Sequence, residues 1–169
     1  MPGIEVQVDT GFYVDGALTA IGTAAEPILI TGIKKQPGGW WGLAINGDFQ
    51  QLAGATLDYV TIEYGGRGTD DYDANLRVSA ANVTVTHSTI RHSSHHGILN
   101  DGGSPEQPFT ITIADSTISD NPGDAITCRD ESCNMTLTNL TVTGNGRNGI
   151  VQGAAVGGDQ VWPNIGLPY

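Results

Sequence analysis

Val83-Thr84-Val85-Thr86-His87-Ser88-Thr89-Ile90 is followed, 28 residues on, by Ile111-Thr112-Ile113-Ala114-Asp115-Ser116-Thr117-Ile118. A third copy, Met135-Thr136-Leu137-Thr138-Asn139-Leu140-Thr141-Val142, begins 24 residues after that. A looser copy precedes them, Ala55-Thr56-Leu57-Asp58-Tyr59-Val60-Thr61-Ile62. In each copy an aliphatic residue stands five positions beyond the second apolar one: Val85 to Ile90, Ile113 to Ile118, Leu137 to Val142. Eight positions further comes another, at Ile98, Ile126 and Ile150, often after Gly. A fixed internal period of this length decides the architecture before any local propensity does.

The segments inside each copy are short, rich in β-branched residues, and alternate apolar with Thr. That alternation predicts strands half buried on one side. No stretch sustains apolar residues at spacings of three and four, so no long amphipathic helix is expected. The parity breaks between the strands predict bends rather than hairpins. Successive copies then stack in parallel, about 4.8 Å apart, each coil burying its inner face only with its neighbours' help.

Reading the copies as columns gives three inward ladders: Leu57, Val85, Ile113 and Leu137; Ile62, Ile90, Ile118 and Val142; Leu76, Ile98, Ile126 and Ile150. Three ladders on three faces describe a triangular coil. The outward columns are threonine: Thr56, Thr84, Thr112 and Thr136, then Thr61, Thr89, Thr117 and Thr141. Past the second face come Gly65, Ser93, Asn121 and Asn145. Gly and Asn tolerate positive φ, which predicts the tight corner there. Stacked Asn side chains are also expected to hydrogen-bond along the axis.

At this point the chain resembles the right-handed parallel β-helix, the architecture of pectate-lyase-like proteins. Gly16 to Thr31, Pro37 to Ile45 and Leu57 to Gly66 resemble the first coils of a β-helix module found in large secreted bacterial surface proteins. The fold expected is all-β, a right-handed parallel β-helix of about six triangular coils. It spans 1–153, with 154–169 as a linker-like tail. The likeness implies export and an extracellular or cell-surface setting. It leaves activity open, since a fold does not fix a function.

Composition narrows the classes. The chain has 169 residues, enough for one domain with a continuous axial core. Net charge is −11, from 18 acidic against 7 basic residues, which argues against nucleic acid as a partner. No apolar run reaches the ~18–20 residues of a membrane span. The start, Ile4 to Asp9, reads as a strand with no lead-in, and Trp162 to Tyr169 reads as a linker. The expectation is a segment of a longer polypeptide or a processed subunit, whose coil ends meet other copies or adjacent modules.

Several residue groups are candidates for chemistry. Glu63, Arg91 and Ser119 fall in one outward column, and Tyr64, His92 and Asp120 in the next. Adjacent coils should bring Glu63 to Arg91, and His92 between Tyr64 and Asp120. Arg91, His92, Asp120 and Glu63 would be the catalytic set if the chain cleaved an acidic polysaccharide, where a base abstracts a proton and a cation neutralises the sugar carboxylate. A solvated charge ladder is the simpler account. His87, His92, His95 and His96 are close in sequence, as metal ligands can be, but occupy different parts of the coil, with His95-His96 in an exposed corner. Asp70, Asp71 and Asp73 could hold calcium through carboxylate oxygens, although their spacing matches no known calcium loop; no other cofactor is expected. Of Trp40-Trp41, one ring should face in and one out.

Cys128 and Cys133 flank Arg129 to Ser132, and by parity both point inward. A disulfide closing this short loop fits an oxidising compartment; two buried thiols are the alternative. Two functions from different classes follow. The first is a non-catalytic extracellular β-helix, a structural, adhesive or filament-forming module with end-to-end coil contacts. The other is a carbohydrate-active module that binds or cleaves an acidic polysaccharide.

Overall fold

The computed structural model describes residues 3–47, 53–69, 73–102, 109–129, 134–153 and 166–168. The described residues contain seventeen strands and no helix. The first coil is β1 (Glu5–Val8), β2 (Phe12–Val14) and β3 (Ala17–Ile21), the second β4 (Ile28–Gly32), β5 (Leu43–Asn46) and β6 (Ala53–Asp58). The third is β7 (Val60–Glu63), β8 (Ala74–Ser79) and β9 (Ala81–Thr86), the fourth β10 (Thr89–Arg91), β11 (His96–Asn100) and β12 (Ile111–Ala114). The fifth is β13 (Thr117–Ser119), β14 (Asp124–Cys128) and β15 (Met135–Thr138), and β16 (Thr141–Thr143) and β17 (Arg147–Gln152) begin a sixth.

The three strands of each coil go to three different sheets. Sheet A runs β1-β4-β7-β10-β13-β16, sheet B β2-β5-β8-β11-β14-β17 and sheet C β3-β6-β9-β12-β15. Every pairing is parallel. The chain is therefore an all-β parallel helix of five complete coils and two strands of the next.

The registers match the columns expected from the sequence. Leu57, Val85, Ile113 and Leu137 are successive partners in sheet C. Ile62, Ile90, Ile118 and Val142 are partners in sheet A, and Leu76, Ile98, Ile126 and Ile150 in sheet B. These ladders face one another across the axis as a single apolar core. Each fully buried Ile or Leu contributes about 1.5–3 kcal/mol relative to exposure, so the core is built coil by coil. Trp40 is wholly buried and donates its indole N–H to the Glu63 carbonyl at 2.8 Å, while Trp41 is 46% exposed. The expected in-and-out pair is present, but it precedes β5 rather than lying in a strand.

The corner differs from expectation. Positive φ does not fall on Gly65, Ser93, Asn121 and Asn145. It falls one residue earlier, at Tyr64 (67°), His92 (55°), Asp120 (55°) and Gly144 (69°). A second left-handed column, Tyr59, His87, Asp115 and Asn139, turns the chain between sheets C and A. Asn121 and Asn145 serve through their amides instead. Asn121 Nδ2 donates to Asn145 Oδ1 at 2.8 Å, and Asn121 Oδ1 accepts from the backbone N–H of Ser93 at 3.0 Å and from Asn75 Nδ2 at 3.3 Å. The axial ladder of amides is thus present, with the left-handed backbone displaced from it.

The predicted tail, 154–169, lies mostly outside the described residues. Within it, Pro168 returns to the last coil, where its carbonyl accepts the N–H of Ile150 at 3.0 Å.

Candidate functional site

The outward strip of sheet A brings the expected residues together. Arg91 pairs in register with Glu63 on one side and Ser119 on the other. Its guanidinium reaches Glu63 Oε2 through Nε at 2.9 Å and Nη2 at 2.8 Å. Glu63 is nearly buried and Arg91 about half exposed. Each charge is therefore spent on the other. Tyr64 and His92 stack with ring centroids 5.6 Å apart and planes 15° from parallel. Asp120 continues the column, yet no hydrogen bond or ion pair joins it to His92 among the described residues.

The four histidines disperse. His92 stands with Tyr64. His87 lies flat on Tyr59, centroids 4.6 Å apart, with Nδ1 2.8 Å from Asp58 Oδ1. His95 contacts Ser94, and its ring is tilted 6.4 Å from that of His96. His96 is not in an exposed corner: it opens β11 and is only 8% exposed, because the strand starts one residue before Gly97. No three His, Cys, Asp or Glu residues are grouped to hold a metal among the described residues. Of the calcium candidates, Asp70 and Asp71 lie outside the described residues, and Asp73 is buried. Cys128 is fully buried with Sγ 4.0 Å from Met135 Sδ, whereas Cys133 lies outside the described residues.

Sequence reading overlooked a serine ladder at the corner between sheets C and A. Ser88 Oγ accepts the N–H of Val60 at 3.0 Å, and Ser116 Oγ accepts that of Ser88 at 3.1 Å. The repeated triplets His87-Ser88-Thr89 and Asp115-Ser116-Thr117 were the available signal. These hydroxyls satisfy donors that the turn removes from the strand ladders.

The Asp58–His87 contact has a consequence for pH. Hydrogen bonds from His87 and then Thr86 hold the Asp58 carboxyl below the usual carboxylate range. A lowered folded pKa means stabilisation that is fully present above the ordinary value of about 3.9 and lost as pH falls through the folded value. Thermal melts of wild type and Asp58→Asn, taken from neutral pH down to about pH 2, should show a wild-type margin that disappears at the acid end. A margin unchanged at the lowest pH would contradict this.

Sheet A therefore offers a neutralised ion pair between two stacked Tyr–His pairs, over a floor of threonines. The largest exposed rings lie elsewhere, at Tyr13 (58%) and Trp41 (46%), which share a small cleft with Asp73 and Arg77. No curated protein and no solved structure matches the chain. A family model described as the right handed beta helix region matches residues 41–158, more than half of the chain. With the parallel coils and the three sheets in register, the chain belongs to the right-handed β-helix family.

Proposed function

We propose that the chain is an extracellular structural β-helix module that joins its neighbours end to end. The observation that carries this reading is the openness of the coil ends. Ile30, Ile62 and Ile90 are each at most 2% exposed in the middle of their ladder. The equivalent interior positions of the first coil, Val6, Val8, Phe12, Val14, Leu18 and Ala20, are only partly buried. At the far end Met135, Leu140 and Val142 are likewise only partly buried. Among the described residues, strands β1, β2 and β3 are paired on one side only, as are β15 and β16. Apolar interior and unpaired strand edge together are what a further coil covers. Such a contact joins unlike surfaces and does not close on itself, so it propagates into a fibre.

Light scattering and electron microscopy on the isolated chain test the self-stacking version. Particles are expected to lengthen with concentration, and Val8→Lys, which charges the open end, should return them to monomers. A monomer at every concentration would defeat self-stacking. The extracellular part rests on the family resemblance, and it carries with it the proposal that Cys128 and Cys133 form a disulfide. Alkylation without reductant followed by mass spectrometry should find neither thiol free, and full alkylation of both would count against it.

A further inference from the structure

The outer side of sheet B carries a separate cluster, built around a buried carboxylate. Asp124 opens β14 and is 2% exposed. Its Oδ2 accepts from Thr127 Oγ1 at 2.9 Å and from Arg147 Nη2 at 3.0 Å, while Arg147 Nε donates to Oδ1. The backbone N–H of Asp124 donates to His96 Nδ1 at 3.0 Å. The same ring nitrogen lies 3.3 Å from Thr127 Oγ1 and 3.4 Å from Asp124 Oδ2. Asp124 and Arg147 face each other where the β14–β17 register is irregular, between Asp124 and Ile126. His96, Asp124, Thr127 and Arg147, with Arg129 and Val151, border a concavity of about 490 Å³.

Burying a carboxylate is unfavourable unless it is paired and hydrogen-bonded, and this one takes three hydrogen bonds from two side chains, Thr127 and Arg147. Yet its cationic partner is not sealed in, because the Arg147 side chain is 66% exposed. A guanidinium is a rigid planar fork. With Nε and Nη2 directed at Asp124, Nη1 is directed away from that carboxylate. Arg129 adds a second guanidinium to the wall of the same concavity. Two of only seven Lys and Arg residues thus line one pocket in a chain of net charge −11. Fixed cations in a concave site focus potential and raise the local concentration of anions.

We propose that this concavity binds an oxyanion, a carboxylate or sulfate group carried by a ligand, with Arg147 and Arg129 as the binding residues. Asp124 is the positioning residue that orients the Arg147 fork, and Thr127 and His96 hold Asp124. The proposal does not depend on the coil-end contacts.

The test is an NMR titration of the ¹⁵N-labelled full chain with malonate, and separately with sulfate, at constant ionic strength set by chloride. Saturable shifts are expected at Arg147 Nε and at the Thr127 amide, with Arg91 Nε unmoved. A response to malonate alone marks a planar carboxylate ligand, and a response to sulfate alone a tetrahedral one. Arg147→Ala should weaken binding about tenfold or more, the loss of charge-assisted hydrogen bonds. Arg129→Ala, which leaves the Asp124 pair intact, should weaken it in the same direction and serves if Arg147→Ala fails to fold. Shifts that rise linearly without saturating, equal shifts at Arg91, or unchanged affinity in a folded Arg147→Ala chain would each overturn the proposal. A purely structural clamp between β14 and β17 predicts those negative results together with a lowered melting temperature in Arg147→Ala.

Discussion

Ile118→Asp abolishes cooperative unfolding, and Thr117→Asp, one residue away, leaves it in place. Ile118 is fully buried and sits between Ile90 and Val142 in the axial ladder of sheet A. An aspartate there has no cation within the apolar core. Leaving a buried charge unpaired costs about 3–5 kcal/mol. Losing the burial of the isoleucine side chain costs about 1.5–3 kcal/mol more. Domains of this size are stable by about 5–15 kcal/mol, so the variant loses most or all of its stability. Because each coil buries its neighbours, the damage spreads from the fifth coil in both directions. Thr117 points outward between Thr89 and Thr141 and is partly exposed, so a carboxylate there keeps its water. Its cost is about 1 kcal/mol, the span of strand propensities. Urea unfolding followed by circular dichroism measures both. Equal midpoints for the two variants would mean that the register is wrong by one residue, since such a slip exchanges the two faces.

That register was legible because two spacings recur together, five residues within a copy and 24 or 28 between copies. The same spacing made the Glu63–Arg91 pair legible. What the columns could not tell was the reason for each corner residue. Asn is favoured both where the backbone turns left-handed and where an amide is needed inside, and the sequence does not distinguish the two. At Asn121 the second reason prevails, and the strained φ passes to Asp120. Column counting also fails where the ladder is irregular. His96 and Asp124 are 28 residues apart, but Arg147 follows Asp124 by 23, so no fixed period leads to that cluster. The dispersal of the histidines has a similar cause. Neighbours in sequence at a corner are sent to different strands, and proximity along the chain then says little about proximity in space.

Asn121→Ala is expected to be nearly as damaging as a core substitution, although it removes a polar side chain. Asn121 is fully buried. Its Oδ1 is the acceptor for the Ser93 N–H and for Asn75 Nδ2, at 3.0 and 3.3 Å. Its Nδ2 donates to Asn145 Oδ1 at 2.8 Å and to the Ile90 carbonyl at 3.4 Å. Alanine offers none of these groups. The Ser93 N–H then has no partner from this side chain, and Asn145 Oδ1 retains only the Asn121 N–H, at 3.1 Å. A buried donor left unsatisfied, as the Ser93 N–H is here, costs about 1–3 kcal/mol, and the hydrogen bonds lost at Asn145 and Asn75, which each keep one partner, add to it. Because the amides polarise one another along the axis, the loss is felt at Asn75 and Asn145 as well. Asn134→Ala is the control. That residue is exposed and, among the described residues, its side chain donates only to Thr110 Oγ1, at 3.0 Å, so its removal should change stability by no more than about 0.5 kcal/mol. Chemical denaturation of the two variants measures the difference. Near-equal stabilities would show that water replaces the amide at position 121, and that the buried ladder is a consequence of the coil geometry rather than one of its causes.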